Sequence, residues 1–121
     1  MKVDYSNNLP IYVQLVEDLK IKIISKEYNI GDRLPSVREL ASIYKVNPNT
    51  MQKALTELEN LGLIMTERTN GKFVTKNLKI IENFKKNYAK NICLQFLENL
   101  NSIGYDNEKA ICLLEEFKKE K

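Results

Sequence analysis

From Pro10 onward apolar residues recur every four positions, at Ile11, Leu15, Leu19 and Ile23, while Gln14, Glu17, Asp18, Lys20 and Lys22 take other positions. That spacing predicts a helix half buried on a core. Pro10 opens it, since a fixed φ and a missing N–H suit a first helical turn, and the helix should end near Lys26. Asn29-Ile30-Gly31-Asp32 reads as a turn, and Leu34-Pro35 requires an extended residue before the next element. Ser36 and Glu39 then have capping-box spacing, which starts a short helix burying Val37, Leu40, Ala41 and Tyr44. Lys45 and Val46 connect tightly to Asn47-Pro48, an N-cap followed by Pro at the first helical position. Met51, Ala54, Leu55, Leu58 and Leu61 form one apolar stripe behind it, and Gly62 is placed as the C-terminal cap. Two short helices joined in this way are a helix-turn-helix pattern.

After Gly62 the period changes. Leu63 to Arg68 and Phe73 to Thr75 read as two short strands around an Asn70-Gly71 turn, where positive φ values are tolerated. A hairpin directly behind a helix-turn-helix is a wing. Beyond Lys76 the pattern is helical again: Ile81, Phe84, Tyr88, Ile92, Phe96, Leu100 and Ile103 follow at spacings of three and four, up to Gly104. Asp106 can cap a last helix carrying Ala110, Ile111, Leu113, Leu114 and Phe117, with a Lys-rich end that complements the helix dipole. No repeat or flexible linker separates the parts, so the expected boundary near Lys76 is topological. The predicted class is mainly α with a small β-hairpin: a winged helix-turn-helix over residues 1–76 and a two-helix region over 77–121.

The length of 121 residues holds one domain, or one domain with a helical appendage. Composition mainly removes alternatives. There is no His, which excludes histidine-dependent catalysis and the commonest neutral metal ligand. Cys93 and Cys112 lie far apart with no second pair, so they read as small buried residues in a reducing cytosol. No nucleophile and base pair or phosphate loop can be assembled, so no enzyme, metal or cofactor is called for. Met1-Lys2-Val3-Asp4-Tyr5-Ser6 has no signal-peptide character, and the apolar runs are too short to span a bilayer. The expectation is a soluble cytoplasmic protein without membrane contact.

Net charge is only +3, with 10 basic and 9 acidic residues over 1–75 and 9 and 7 over the rest. The distribution matters more than the sum. Between Glu39 and Glu57 there is no acidic residue, and the window holds Lys45, Asn47, Asn49, Thr50, Gln52 and Lys53, with Arg33 and Arg38 just upstream. Such a surface approaches phosphates without like-charge repulsion, and Asn and Gln can pair with adenine in the major groove. Each residue also has a plain reading. Asn47-Pro48 is explained as a helix start, polar residues at 49–53 suit any solvated helix, Arg38 can pair with a carboxylate, and Arg68 and Lys72 flank a hairpin turn.

Taken together, Pro10-Ile11-Tyr12, Gly31-Asp32-Arg33-Leu34-Pro35-Ser36-Val37-Arg38-Glu39-Leu40-Ala41, Val46-Asn47-Pro48-Asn49-Thr50-Met51-Gln52-Lys53-Ala54-Leu55 and Leu58-Glu59-Asn60-Leu61-Gly62-Leu63-Ile64 resemble the winged helix-turn-helix of GntR-type bacterial transcription regulators, over about residues 8–76. The short helical remainder resembles the YtrA-like branch, whose two C-terminal helices serve dimerisation. The resemblance implies phosphate contacts at Ser36 and Arg38 and a major-groove face of Asn49, Thr50, Gln52 and Lys53. It implies a minor-groove wing tip at Arg68, Asn70, Gly71 and Lys72. The family wing usually reads Arg-Gly-Lys-Gly-Thr-Phe-Val. Here Thr69 replaces the first Gly, Asn70 replaces the Lys, and Lys72 offers a charge in place of the lost one. Lys26 stands where the family often has Gly after the first helix.

One winged domain makes few base contacts, and paired half-sites read by a symmetric dimer supply more. The stripe of Ile81, Phe84, Tyr88, Ile92, Phe96 and Leu100 is the expected dimer surface, because two helices have little interior of their own. The expected function is a dimeric repressor of a nearby operon, binding a pseudo-palindromic operator in double-stranded DNA, with transporter genes implied by the YtrA-like resemblance. Room remains for a small-molecule effector acting through the helical region. The rival is a winged-helix protein-interaction module of identical fold.

Overall fold

The computed structural model describes residues 9–121; the Met1–Ser6 stretch lies outside the described residues. Helices α1 (Ile11–Ile24), α2 (Val37–Tyr44) and α3 (Pro48–Asn60) precede strands β1 (Ile64–Glu67) and β2 (Gly71–Val74), followed by α4 (Leu78–Asn101), α5 (Asn107–Phe117) and a 3-10 turn at Lys118–Glu120. The chain divides into two compact units, Met1–Phe84 and Lys85–Lys121. This division falls inside α4, beyond the Lys76 junction read from the sequence.

In the first unit α3 is the central element, packed against α1, α2 and β1. Its stripe of Met51, Ala54, Leu55 and Leu58 meets Leu15, Leu19 and Ile23 of α1, Leu40 of α2, and Leu63, Ile64 and Val74 of the hairpin in one core. Val37 and Leu61 are only half buried, and Ile11 is exposed in the first turn of α1. Ile81 keeps 1% of its surface. It is therefore interior to this unit, which corrects its place in the expected dimer stripe, and Phe84 is half-buried with the Lys20 ammonium 5.4 Å from its ring.

The polar residues of α1 depart from the simple stripe. Gln14 and Asp18 are buried. The Tyr44 hydroxyl donates to Asp18 Oδ2, and Lys22 Nζ lies 3.6 Å from the same oxygen and 4.8 Å from the Tyr44 ring. A carboxylate taken from water needs such partners. Burial, and then the bond to Asp18, pushes the Tyr44 phenol above its ordinary pKa, so it stays a donor at all physiological pH.

The helix-turn-helix forms as its caps dictate. Helix α1 ends at Ile24, two residues before the Lys26 stop read from the sequence, and Lys26 follows in the left-handed region at φ 67°. The turn after α2 places Lys45 at φ 57° and ψ 48°. A side chain there meets its own carbonyl, at a cost of about 1–2 kcal/mol. Lys45→Gly is therefore expected to raise the unfolding free energy by about 0.5–1 kcal/mol after the extra freedom of the unfolded glycine is subtracted. Urea melts check it, and an unchanged or lower midpoint would show that the position carries no strain.

The wing pairs antiparallel with Ile64 opposite Val74 and Glu67 opposite Gly71. The turn is thus Arg68-Thr69-Asn70, with Gly71 at φ 100° opening β2, and not a two-residue Asn-Gly turn. Three-residue hairpin loops of this kind need the positive φ at the residue after the loop, where only glycine is unstrained. The segment after α1 also pairs with β2. Leu34 N donates to Lys72 O at 2.8 Å and Val74 N to Asp32 O at 2.8 Å, with Arg33 opposite Phe73. That covers the otherwise open edge of β2 and fixes the start of α2 against the wing.

In the second unit Gly104, at φ 98°, ends α4, and Asp106 caps α5 by accepting from Lys109 N at 2.8 Å. Asn101 Nδ2 donates to Tyr105 O at 2.8 Å and to Asn107 Oδ1 at 3.1 Å, bracing the connection. Ala110 is fully buried, whereas Ile92, Leu94, Ile103, Ile111, Leu114 and Phe117 are exposed. Cys93 and Cys112 are exposed as well, which corrects their reading as buried residues: two helices alone have too little interior to cover them. Among the described residues no helix is long and apolar enough to cross a membrane.

Candidate nucleic-acid interface

Two neighbouring surfaces of the first unit hold the residues singled out from the sequence. The first is the N-terminal half of α3. Asn47 Oδ1 accepts from Asn49 N at 2.7 Å, so the Asn47 side chain is engaged as the helix cap. Because α3 buries positions 51, 54, 55 and 58, its opposite side presents Asn49, Gln52 and Lys53, with Thr50 half-buried beside them. Gln52 Nε2 lies 3.3 Å from Thr56 Oγ1, which in turn donates to Gln52 O at 2.9 Å. Lys53 Nζ sits 4.0 Å from the centre of the Tyr12 ring. Tyr12 was legible only as part of the Pro10-Ile11-Tyr12 motif; nothing in its own position along the chain marked it as a neighbour of α3.

The second surface is an open groove of about 710 Å³ between the start of α2 and the wing, lined by Arg33, Ser36, Glu39, Arg68, Gly71 and Lys72 among others. Ser36 Oγ accepts from Glu39 N at 3.1 Å, and Glu39 Oε1 accepts from Ser36 N at 3.0 Å. The box is the one that the spacing predicted, and an accepting hydroxyl still carries its own donor. These bonds from Ser36, the backbone one first, hold the Glu39 carboxyl below its ordinary value of 4.5, and Arg33 adds to them. A folded-state pKa below the unfolded one means that the box stabilises α2 above that ordinary value and loses its effect as Glu39 protonates at lower pH.

The groove gathers cations from distant parts of the chain. Arg33 packs along Gly71, where a Cβ would stand 3.4 Å from its Nε. Arg68 in the groove, and Arg38 on α2 outside its lining, are exposed and, among the described residues, enter no ion pair. Lys72 differs. Its ammonium donates to Thr66 Oγ1 at 2.8 Å and lies 3.7 Å from Glu59 Oε1, which accepts from Thr66 Oγ1 at 3.0 Å. Its charge is spent joining the wing to the end of α3. Asn70 is likewise turned inward on the turn, its N and Nδ2 both donating to Glu67 at 3.2 Å. The residues expected at the wing tip thus separate into an outward Arg68 and the inward-bonded Asn70 and Lys72.

The family model of bacterial regulatory proteins of the gntR family matches residues 11–74, which hold both surfaces. The HTH-type transcriptional repressor YtrA of Bacillus subtilis is 42% identical over 79 residues, 65% of this chain and 61% of that protein. A GntR family transcriptional regulator from Listeria monocytogenes superposes with a TM-score of 0.86 at 36% identity, covering 93% of this chain and 98% of that one. The DNA-binding domain of AraR, solved in complex with operator ORX1, superposes with a TM-score of 0.57 at 25% identity, over 62% of this chain and 96% of that one.

Proposed function

Because the chain belongs to the gntR family of bacterial regulatory proteins and is a DNA-binding transcriptional regulator by that membership, we propose that it acts as a dimeric repressor on a pseudo-palindromic operator close to its own operon. The observation that carries this reading is the outer side of α3, where Asn49, Gln52 and Lys53 stand exposed in a stretch free of acidic side chains. In the proposed complex this side enters the major groove, and Asn49 and Gln52 read base edges. Ser36, Arg38 and Arg33 meet phosphates at the start of α2, and Arg68 leads the wing toward the minor groove. A relative named as a repressor, YtrA, and the operator complex of AraR support the same reading. Transporter genes are the proposed targets, as the YtrA-like resemblance implies.

The reading is tested by sequencing the fragments that the protein selects from a genomic pool. Expected is a two-fold symmetric site upstream of its own operon with half-sites about 34 Å apart; fragments without common sequence or symmetry would contradict it. Salt titrations test the division of the wing. Arg68→Ala is expected to reduce the salt slope of binding by about one, whereas Lys72→Ala, removing a charge already paired with Glu59, leaves it unchanged. Equal losses would return Lys72 to the DNA side.

Dimerisation is proposed through Tyr88, Ile92, Phe96 and Leu100 of α4, with Phe84 at the edge of the stripe and without the buried Ile81. Ile92 leaves 55% of its surface exposed, so a change there does not disturb either core. Sedimentation of Ile92→Glu is expected to show a folded monomer, and an unchanged dimer would place the interface elsewhere.

A further inference from the structure

We propose that Tyr12 is a positioning residue of the DNA surface: its ring holds the Lys53 ammonium on the outer side of α3, which makes the first turn of α1 part of the apparatus that meets the phosphate backbone. The proposal rests on the DNA-binding reading above. Its basis is the contact between Lys53 Nζ and the Tyr12 ring, 4.0 Å from the ring centre, well inside the roughly 6 Å over which an aromatic face attracts a cation.

The manner of holding matters. Lys72 is fixed by Glu59 at 3.7 Å, and a carboxylate that fixes a cation also cancels it. Lys53, in contrast, enters no ion pair among the described residues. A ring quadrupole orders an ammonium without neutralising its charge, so the charge stays available to a phosphate. Tyr12 is itself half-buried, on a helix that packs against α3, whereas an unheld lysine would spread over many rotamers and lose more freedom on binding. Tyr12 and Lys53 also share a shallow cleft of about 400 Å³ with Ile11, Asn49 and Thr50. The ring therefore lies beside the residues proposed to read bases, and the lysine it steadies fixes how deeply that end of α3 sits on the backbone.

A merely structural pairing of α1 with α3 would change stability and leave the electrostatics of binding alone. The test measures dissociation constants at several salt concentrations for the full chain, on its promoter fragment and on a random duplex of equal length. The variants are Tyr12→Phe, Tyr12→Leu, Tyr12→Gln as a second ring-less form, Lys53→Ala, and Lys53→Ala combined with Tyr12→Leu. Expected for Lys53→Ala is a salt slope reduced by about one. Tyr12→Leu and Tyr12→Gln should weaken both duplexes by about threefold to tenfold, with a smaller slope. Tyr12→Phe, which keeps the ring, should bind like the parent, and the double variant should be no weaker than Lys53→Ala alone. Parent-like slopes for the ring-less variants, or additive losses in the double variant, would overturn the proposal while leaving the DNA reading intact. A parent protein that binds neither duplex would overturn that reading and the proposal with it.

Discussion

Replacing Asn49 and Gln52 together with Ala is expected to lower the preference for operator over random DNA by about a hundredfold, since each amide paired with a base edge contributes about 1–3 kcal/mol of discrimination. Both side chains are exposed on the side of α3 opposite the buried Met51, Ala54, Leu55 and Leu58, so the core is untouched and the unfolding midpoint should hold. Affinity for random duplex should hold as well, because that affinity comes from cations on phosphates. Arg38→Ala gives the opposite result, a loss shared by operator and random DNA. Competition titrations with both duplexes separate the two classes, and identical behaviour would mean that α3 does not read sequence through these amides.

Tyr44→Phe is expected to cost about 2–3 kcal/mol of stability, lowering the thermal midpoint by roughly 10 °C. Asp18 retains 4% of its surface, and among the described residues its Oδ1 has no hydrogen-bond partner. The Tyr44 hydroxyl donates to Oδ2, and without it the Lys22 ammonium, at 3.6 Å, is what faces the carboxylate among the described residues. Removing one member of a buried polar pair costs more than removing both. Tyr44→Phe combined with Asp18→Leu should therefore be more stable than Tyr44→Phe alone. Calorimetry of the two variants checks this. A Tyr44→Phe protein as stable as the parent would show that the hydroxyl does not support the carboxylate.

Local chemistry made the helix-turn-helix legible in the chain. Ser36 with Glu39, and Asn47 with Pro48, are caps whose hydrogen bonds form within a few residues, so spacing alone placed α2 and the start of α3. What stayed hidden depends on partners remote in sequence. Asp18 looked like a solvated residue of α1, because the tyrosine that allows its burial lies 26 residues away on another helix. The pairing of residues 31–34 with β2 was invisible for the same reason, since a single bridge between distant segments leaves no alternating pattern. At the wing, the Asn70-Gly71 pair suggested a two-residue turn, but register is set by the core, where Ile64 and Val74 are both buried and opposed. That register leaves three residues in the loop and places Gly71 in the strand.

The same distinction governs the interface. The sequence marked the absence of acidic residues between Glu39 and Glu57, and the structure shows Asn49, Gln52 and Lys53 of that stretch exposed beside the buried stripe. It did not reveal which cations are engaged internally. Lys72 and Arg68 look equivalent along the chain, yet Glu59 from the end of α3 takes one and not the other. Nor did the helical stripe of the second half separate its members, for Ile81 serves the winged core whereas Ile92 faces outward.

The most direct test of sequence-specific binding is a titration of the purified protein at low salt against a fragment of its own promoter and a random duplex of the same length. The expected result is binding to the promoter at least about a thousandfold tighter than to the random duplex, the lower range for specific recognition. Equal affinity for the two would contradict it.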